Sequence, residues 1–253
     1  MELIYQNAKE IKDIFKTLNV LNSEPILNFN YDGLTSQLMD PSHVAMIQLN
    51  LSKKCFDEYN IDEPLKTCLN LDNLVKKVFR NINNDDMLKL DIKDDKATFT
   101  LISDLNRSFK MSTLEFDGEL PPAPKINYEV TVKIALKSLD RIIKDLKGLT
   151  EEINLTGEKD QIVFSAVLDG DKEKYSVTID NRNINLLRYN NCYGNIQVAK
   201  YSLTYLSDIV KALKPLTDVI EISFSKDMPL QIKIYFDNYG DLTYWMAPRI
   251  HND

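Results

Sequence analysis

Asp40, Ser42 and His43 are the ingredients of a hydrolytic triad, an acid, a nucleophile and a base, and all three fall inside one tetrapeptide. A working triad draws its members from separate segments so that each side chain can point at the next, and neighbours at a strand end cannot do so. The two histidines and the cysteines Cys55, Cys68 and Cys192 show no metal-ligand spacing. Neither a phosphate-binding P-loop nor a dinucleotide-binding glycine pattern is present. The chain is expected to be no enzyme and to need no cofactor or metal. What does recur is lysine and arginine at helical spacing. Lys9, Lys12 and Lys16 share one face of a helix-like stretch, opposite Ile11, Phe15 and Leu18. Lys76, Lys77 and Arg80 mark a second stretch, Arg141, Lys144 and Lys147 a third, and Lys211 and Lys214 a fourth. Such faces can neutralise phosphate: flexible ammonium groups contact a nucleic-acid backbone without reading its sequence, and the contact is salt-sensitive.

The elements that must carry these groups come in two sets. Under one constant shift Ile11, Ile14, Phe15, Leu18 and Leu21 fall on Leu139, Ile142, Ile143, Leu146 and Leu149, while Lys9 and Lys16 fall on Lys137 and Lys144. A slightly larger shift lays Leu71, Leu74 and Val78 on Leu203, Leu206 and Val210. The alternating runs that follow, 87–92 and 219–224, coincide as well. Between the helices the pattern is strand-like: 26–29 leads through the turn signal Asn30-Tyr-Asp-Gly33 into 34–38 and 44–51, and later runs cover 97–102, 107–111, 153–155, 161–167, 175–179 and 231–236. The expected fold is α+β, two similar domains with antiparallel sheet and two short helices each. Gly118, Pro121, Pro122 and Pro124 forbid a continuous element near the middle. Residues 114–125 are therefore expected to be a solvated connector between domains 1–113 and 126–253.

The chain has 253 residues, 27% charged and 43% hydrophobic, with a net charge of −7. That balance argues against a protein coated all over with basic groups. The four basic stretches nevertheless hold about 11 basic and 6 acidic residues, roughly +5, so the remainder is roughly −12. Three widely spaced cysteines speak for a reducing cytosolic compartment. The first residues lack the character of a signal peptide, and no apolar run is long enough to span a membrane.

Two local motifs now matter. Residues 33–46, which include Met39-Asp-Pro-Ser-His43-Val-Ala-Met46, and residues 242–250, ending Trp245-Met-Ala-Pro-Arg-Ile250, resemble conspicuous segments of the sliding-clamp family of proliferating cell nuclear antigen (PCNA). Asp227-Met-Pro-Leu230 is similar to a strand start of that family, and the proline-rich stretch sits where its interdomain connector belongs. The resemblance covers essentially the whole chain. Asp40-Pro41 departs from the serine common in eukaryotic members and leans archaeal, which implies a cytoplasmic, nucleoid-associated protein; a eukaryotic member would be nuclear.

The resemblance implies a ring of three subunits around duplex DNA, a processivity factor for DNA polymerase and a docking platform in replication and repair. The DNA-facing residues would be Lys9, Lys12, Lys16, Lys76, Lys77, Arg80, Arg141, Lys144, Lys147, Lys211 and Lys214. Polymerase, clamp loader, flap endonuclease and DNA ligase would dock through short peptide motifs. The matching pocket is Met39, His43, Val44, Met46, Leu120, Pro229, Trp245, Met246, Ala247 and Pro248. The subunit contact would join the edge strand Arg107, Ser108, Phe109, Lys110 and Met111 to a neighbour's Lys174, Tyr175, Ser176, Val177, Thr178 and Ile179. Whether the ring is a homotrimer or includes paralogues stays open. The rival reading is a clamp-fold subunit of a heteromeric ring, or a polymerase accessory protein that does not encircle DNA. A pure protein-interaction module would leave the four basic helices unexplained.

Overall fold

The computed structural model describes residues 1–116, 122–168, 173–192, 194–236 and 239–250. Among them, eighteen strands and four helices follow an order that occurs twice. The first repeat runs β1 (Glu2–Tyr5), α1 (Ala8–Leu18), β2 (Ile26–Asn30), β3 (Gly33–Met39), β4 (Ala45–Ser52), β5 (Glu58–Asn60), β6 (Leu65–Cys68), α2 (Leu71–Asn73), β7 (Met87–Lys93), β8 (Lys96–Ile102) and β9 (Arg107–Ser112). The second runs β10 (Val130–Ala135), α3 (Leu136–Leu146), β11 (Glu152–Gly157), β12 (Gln161–Leu168), β13 (Glu173–Asp180), β14 (Leu186–Asn191), β15 (Gln197–Ser202), α4 (Leu203–Leu213), β16 (Val219–Phe224), β17 (Leu230–Phe236) and β18 (Gly240–Met246). Pairings repeat with the order: β1 with β5 and β7 matches β10 with β14 and β16, and β3 between β2 and β4 matches β12 between β11 and β13. All of these pairings are antiparallel. The chain divides into two compact units, residues 1–123 with 235–242 and residues 124–234 with 243–253.

In the first unit one sheet has the order β5-β1-β7-β8-β9, and β4-β3-β2-β6 forms a second run. The β2–β3 hairpin arises where Asn30-Tyr-Asp-Gly33 foretells it. The Asn30 side-chain oxygen accepts from the Asp32 and Gly33 amides at 2.9 and 3.2 Å, and Gly33 takes φ +147°, where a side chain would lie 2.0 Å from the Leu51 carbonyl oxygen. Helix α1 starts at Asn7, whose side chain accepts from the Glu10 amide at 3.1 Å. It buries Ala8, Ile11, Ile14, Phe15 and Leu18. Each large apolar side chain so buried contributes about 1.5–3 kcal/mol.

The second helix differs from the regular element its periodicity predicts. After one α-turn it continues as a π-helical turn over Leu74–Val78, closed by the Phe79 amide donating to the Leu74 carbonyl at 3.0 Å. The wider turn lets Val78 and Phe79, neighbours in sequence, both face inward, 3% and 0% exposed. Phe79 needs that position because it packs on Phe15 and Phe99, with ring centroids 6.1 and 6.4 Å away.

In the second unit β13-β12-β11-β15 form one sheet and β14-β10-β16-β17 a second run. Helices α3 and α4 pack side by side and bury Leu136, Leu139, Ile142, Ile143 and Leu146, and Leu203, Leu206, Ile209, Val210 and Leu213. Each helix begins straight off a strand, the Leu136 and Leu203 amides donating to the Asp218 and Glu151 carbonyls at 2.8 Å. The expected connector leaves the first unit anchored: the Leu114 amide donates to the Cys68 carbonyl at 2.9 Å. Residues 117–121 of that connector lie outside the described residues.

Candidate nucleic-acid interface and docking surfaces

Because apolar residues fix which side of each helix faces the core, the lysines are left on the other side. Lys9 and Lys16 on α1 are exposed and Lys12 is half-buried. Lys9 donates to the Asn84 side chain at 3.1 Å. The Lys12 ammonium is pushed below its usual value, first by burial and then by the like charges of Lys16 and Lys9, which outweigh Asp13. Lys76 and Lys77 project from the wide turn of the second helix and Arg80 from the residues after it, all exposed. Lys76 lies 3.8 Å from Asp72.

The second unit carries its cations differently. Arg141, Lys144 and Lys147 are exposed along α3 and its C-cap, and Lys211 and Lys214 along the end of α4. The Asp140 carboxylate bridges the two helices, 2.9 Å from the Lys144 ammonium and 2.6 Å from that of Lys214. Lys211 pairs with Asp208 at 3.1 Å. Burial pushes the Asp140 carboxyl upward, but hydrogen bonds and charges from Lys214 and Lys144 outweigh it and hold it below the usual 3.8. Sequence reasoning named the lysines and missed Asp140. Its four-residue spacing from Lys144 was legible; the Lys214 contact is tertiary and carried no local signal.

Asp40 plays a different part from the one its neighbours Ser42 and His43 evoke. Its carboxylate, on a residue 5% exposed, accepts from the Ser42, Val44 and Ala45 amides at 3.0, 2.7 and 2.6 Å and staples the β3–β4 turn. His43 is exposed at φ 58°, a backbone conformation that costs a β-carbon residue energy. Of the residues expected to meet a partner peptide, Met39, His43, Val44 and Met46 belong to the first unit and Pro229, Trp245, Met246, Ala247 and Pro248 to the second. Leu120 lies outside the described residues. Met39, Val44, Pro229, Ala247 and Pro248 are half-buried, whereas Met46, Trp245 and Met246 are buried at 5%, 6% and 0%.

Both strands expected at a subunit contact are sheet edges: β9 ends the first unit's five-stranded sheet and β13 ends the second unit's four-stranded one. Ser108, Lys110, Lys174, Ser176 and Thr178 are exposed, Phe109, Met111, Tyr175 and Val177 half-buried, and Ile179 turns into the core. Arg107 is drawn inward. It pairs with Asp86, which is 0% exposed, and donates to the Asn81 carbonyl at 2.6 Å. The Tyr175 hydroxyl donates to Asp145 at 3.1 Å, and burial followed by that carboxylate pushes the phenol up to about 12.

The described residues contain no cluster of three metal-ligating side chains, and no helix among them is long and apolar enough to cross a membrane. The N-terminal-domain profile of proliferating cell nuclear antigen matches residues 1–120, and the C-terminal-domain profile matches residues 122–249. Among curated relatives, a DNA polymerase sliding clamp of Pyrococcus furiosus is 25% identical over 98% of both chains, and DNA polymerase sliding clamp 1 of Pyrobaculum aerophilum is 29% identical over 98% of both. Among solved structures, PCNA of Thermococcus kodakaraensis superposes with a TM-score of 0.91 at 23% identity, covering 98% of this chain and 99% of its own. A chain of the PCNA2–PCNA3 complex of Sulfolobus tokodaii gives 0.87 at 24%, with the same coverage. Two domain profiles, matched in order along a chain whose elements occur twice in order, place this protein in the proliferating cell nuclear antigen family.

Proposed function

We propose that this chain is a DNA sliding clamp, a non-enzymatic ring subunit that encircles duplex DNA and tethers DNA polymerase to its template. The observation that carries the reading is end-to-end likeness to proteins named DNA polymerase sliding clamp, in a chain whose four helices each expose cations opposite a buried apolar face. Loose, sequence-blind contacts suit such a ring. Threading retains it once closed, so lysines need only offset phosphate charge while the duplex slides.

In this reading residues 114–125 connect the domains, and the half-buried Met39, Val44, Pro229, Ala247 and Pro248 offer apolar surface to peptide motifs of polymerase, clamp loader, flap endonuclease and ligase. Edges β9 and β13 close a three-subunit ring, by copies of this chain or with paralogues. Likeness to a chain of a two-paralogue complex keeps the mixed ring in view. In an archaeal cell the protein works in the cytoplasm, at the nucleoid.

The test replaces Lys16, Lys77, Lys144 and Lys211 together by alanine. DNA-stimulated polymerase activity is expected to fall while the solution mass by light scattering stays near three subunits. Unchanged stimulation at unchanged mass refutes the channel reading, and a mass near one or two subunits for the purified wild-type chain refutes the self-sufficient ring.

A further inference from the structure

Helix α1 and the α3–α4 pair hold lysines under different electrostatic regimes. On α1, Lys12 and Lys16 make no ion pair among the described residues, and burial followed by the like charges of Lys16 and Lys9 holds the Lys12 ammonium below its usual value. On α3 the position equivalent to Lys12 is Asp140, and Lys144 and the α4 residue Lys214 gather on its carboxylate. Asp140 points one oxygen at Lys144, one turn along its own helix, and the other at Lys214, at the C-cap of the neighbouring helix. The Asp140 side chain is 15% exposed, so it is held between the helices, while the Lys144 and Lys214 side chains keep 66% and 38% of their surface in solvent.

We propose that Asp140 is a positioning residue for the duplex. It holds Lys144 and Lys214 together as one phosphate-contacting pair, and it lowers their grip by keeping a negative charge between them. The inference rests on the reading that these helices face DNA. Two ammonium groups and one carboxylate present a net charge of about +1 where two unrestrained lysines would present +2, and an arriving phosphate must compete with a carboxylate already in place. The Lys144–Lys214 pair therefore contributes weak, rapidly exchanging contacts while the unpaired lysines of α1 contribute stronger ones. Such asymmetry favours sliding, because no position along the duplex is held by every helix at once.

The experiment measures binding of a fluorescent 40-base-pair linear duplex to the full-length protein by anisotropy, from low to moderate salt. Asp140→Asn is expected to tighten binding about three- to tenfold at low salt and to steepen the salt dependence by about one phosphate equivalent. Asp140→Glu, which keeps the carboxylate, should stay within about twofold of wild type. Asp140→Ala, which gives α3 a strong helix former, carries the test if the asparagine variant melts below wild type. A carboxylate that serves only to staple α3 to α4 predicts a lower melting temperature with affinity changed less than twofold, and that result overturns the proposal. The lysine-to-alanine variant separates the two failures. If it loses binding while Asp140→Asn leaves affinity unchanged, the channel reading stands and this inference falls. If it binds as wild type does, both fall.

Discussion

Replacing Asp40 by alanine isolates one carboxylate's contribution to the first unit. The carboxylate accepts three backbone amides at 2.6–3.0 Å across the β3–β4 turn. The Ala45 amide belongs to a residue only 3% exposed, and losing its acceptor costs about 1–3 kcal/mol. Val44 is half-buried, and its amide adds about 1 kcal/mol. Ser42 is exposed, so water can take over its amide at little cost. Relief from burying a charge offsets a small part. The net expectation is a loss of about 2–4 kcal/mol. Urea denaturation followed by circular dichroism measures it. Asp40→Asn keeps one carbonyl oxygen facing Val44 and Ala45 and should lose only about 1 kcal/mol. Equal losses for the two variants, or a loss under about 1 kcal/mol for alanine, refute the view that amide satisfaction is what Asp40 provides.

Three further perturbations follow from the same geometry. Gly33→Ala places a side-chain carbon 2.0 Å from the Leu51 carbonyl at φ +147°, and denaturant midpoints should show more than about 3 kcal/mol lost. Arg107→Ala strands the buried Asp86 charge; we expect about 2–4 kcal/mol lost by the same measurement, partly restored in Arg107→Ala/Asp86→Ala, because the arginine side chain is itself 27% exposed. Burial pushes the Glu152 carboxyl up, but Lys200 and Arg249, each at 3.1 Å, outweigh it and hold it below the usual 4.5. A depressed carboxyl stabilises the fold above its unfolded value and loses that contribution as pH falls through the folded one. Melting temperature should therefore drop more steeply for wild type than for Glu152→Gln as pH falls from about 5 to 3, and parallel curves would exclude the linkage.

Much of the fold was legible because solvent and core impose periodicity directly. Ile11, Ile14, Phe15 and Leu18 have a spacing only a helix face satisfies, and all are 3% exposed or less. Asn30 and Gly33 carry the hairpin in their own chemistry. The sequence was silent where a residue's role is decided by distant neighbours. Leu242 to Met246 in β18 are buried without alternation, so Trp245 and Met246 could not be told from an exposed docking surface by pattern. Lys214 meets Asp140 only once α3 and α4 pack. The amides that Asp40 collects lie within five residues of it, but they belong to the backbone and no side chain marks them.

The wide turn at Leu74–Val78 bears on descent. Laid on α4 without a gap, Val78 matches Val210, but the buried Phe79 then falls on the exposed Lys211. Slipping the alignment by one residue after the turn sets Val78 and Phe79 on Ile209 and Val210, all four buried, and Arg80 on Lys211, both exposed. That is the pattern of one extra residue in one of two repeated segments, absorbed by the backbone as a π-turn, and the ungapped step returns by 87–92 and 219–224, which coincide without the slip. Arg80, not the residue that ungapped counting selects, is thus the sister of Lys211, and any transfer of roles between the two halves has to change step at that point.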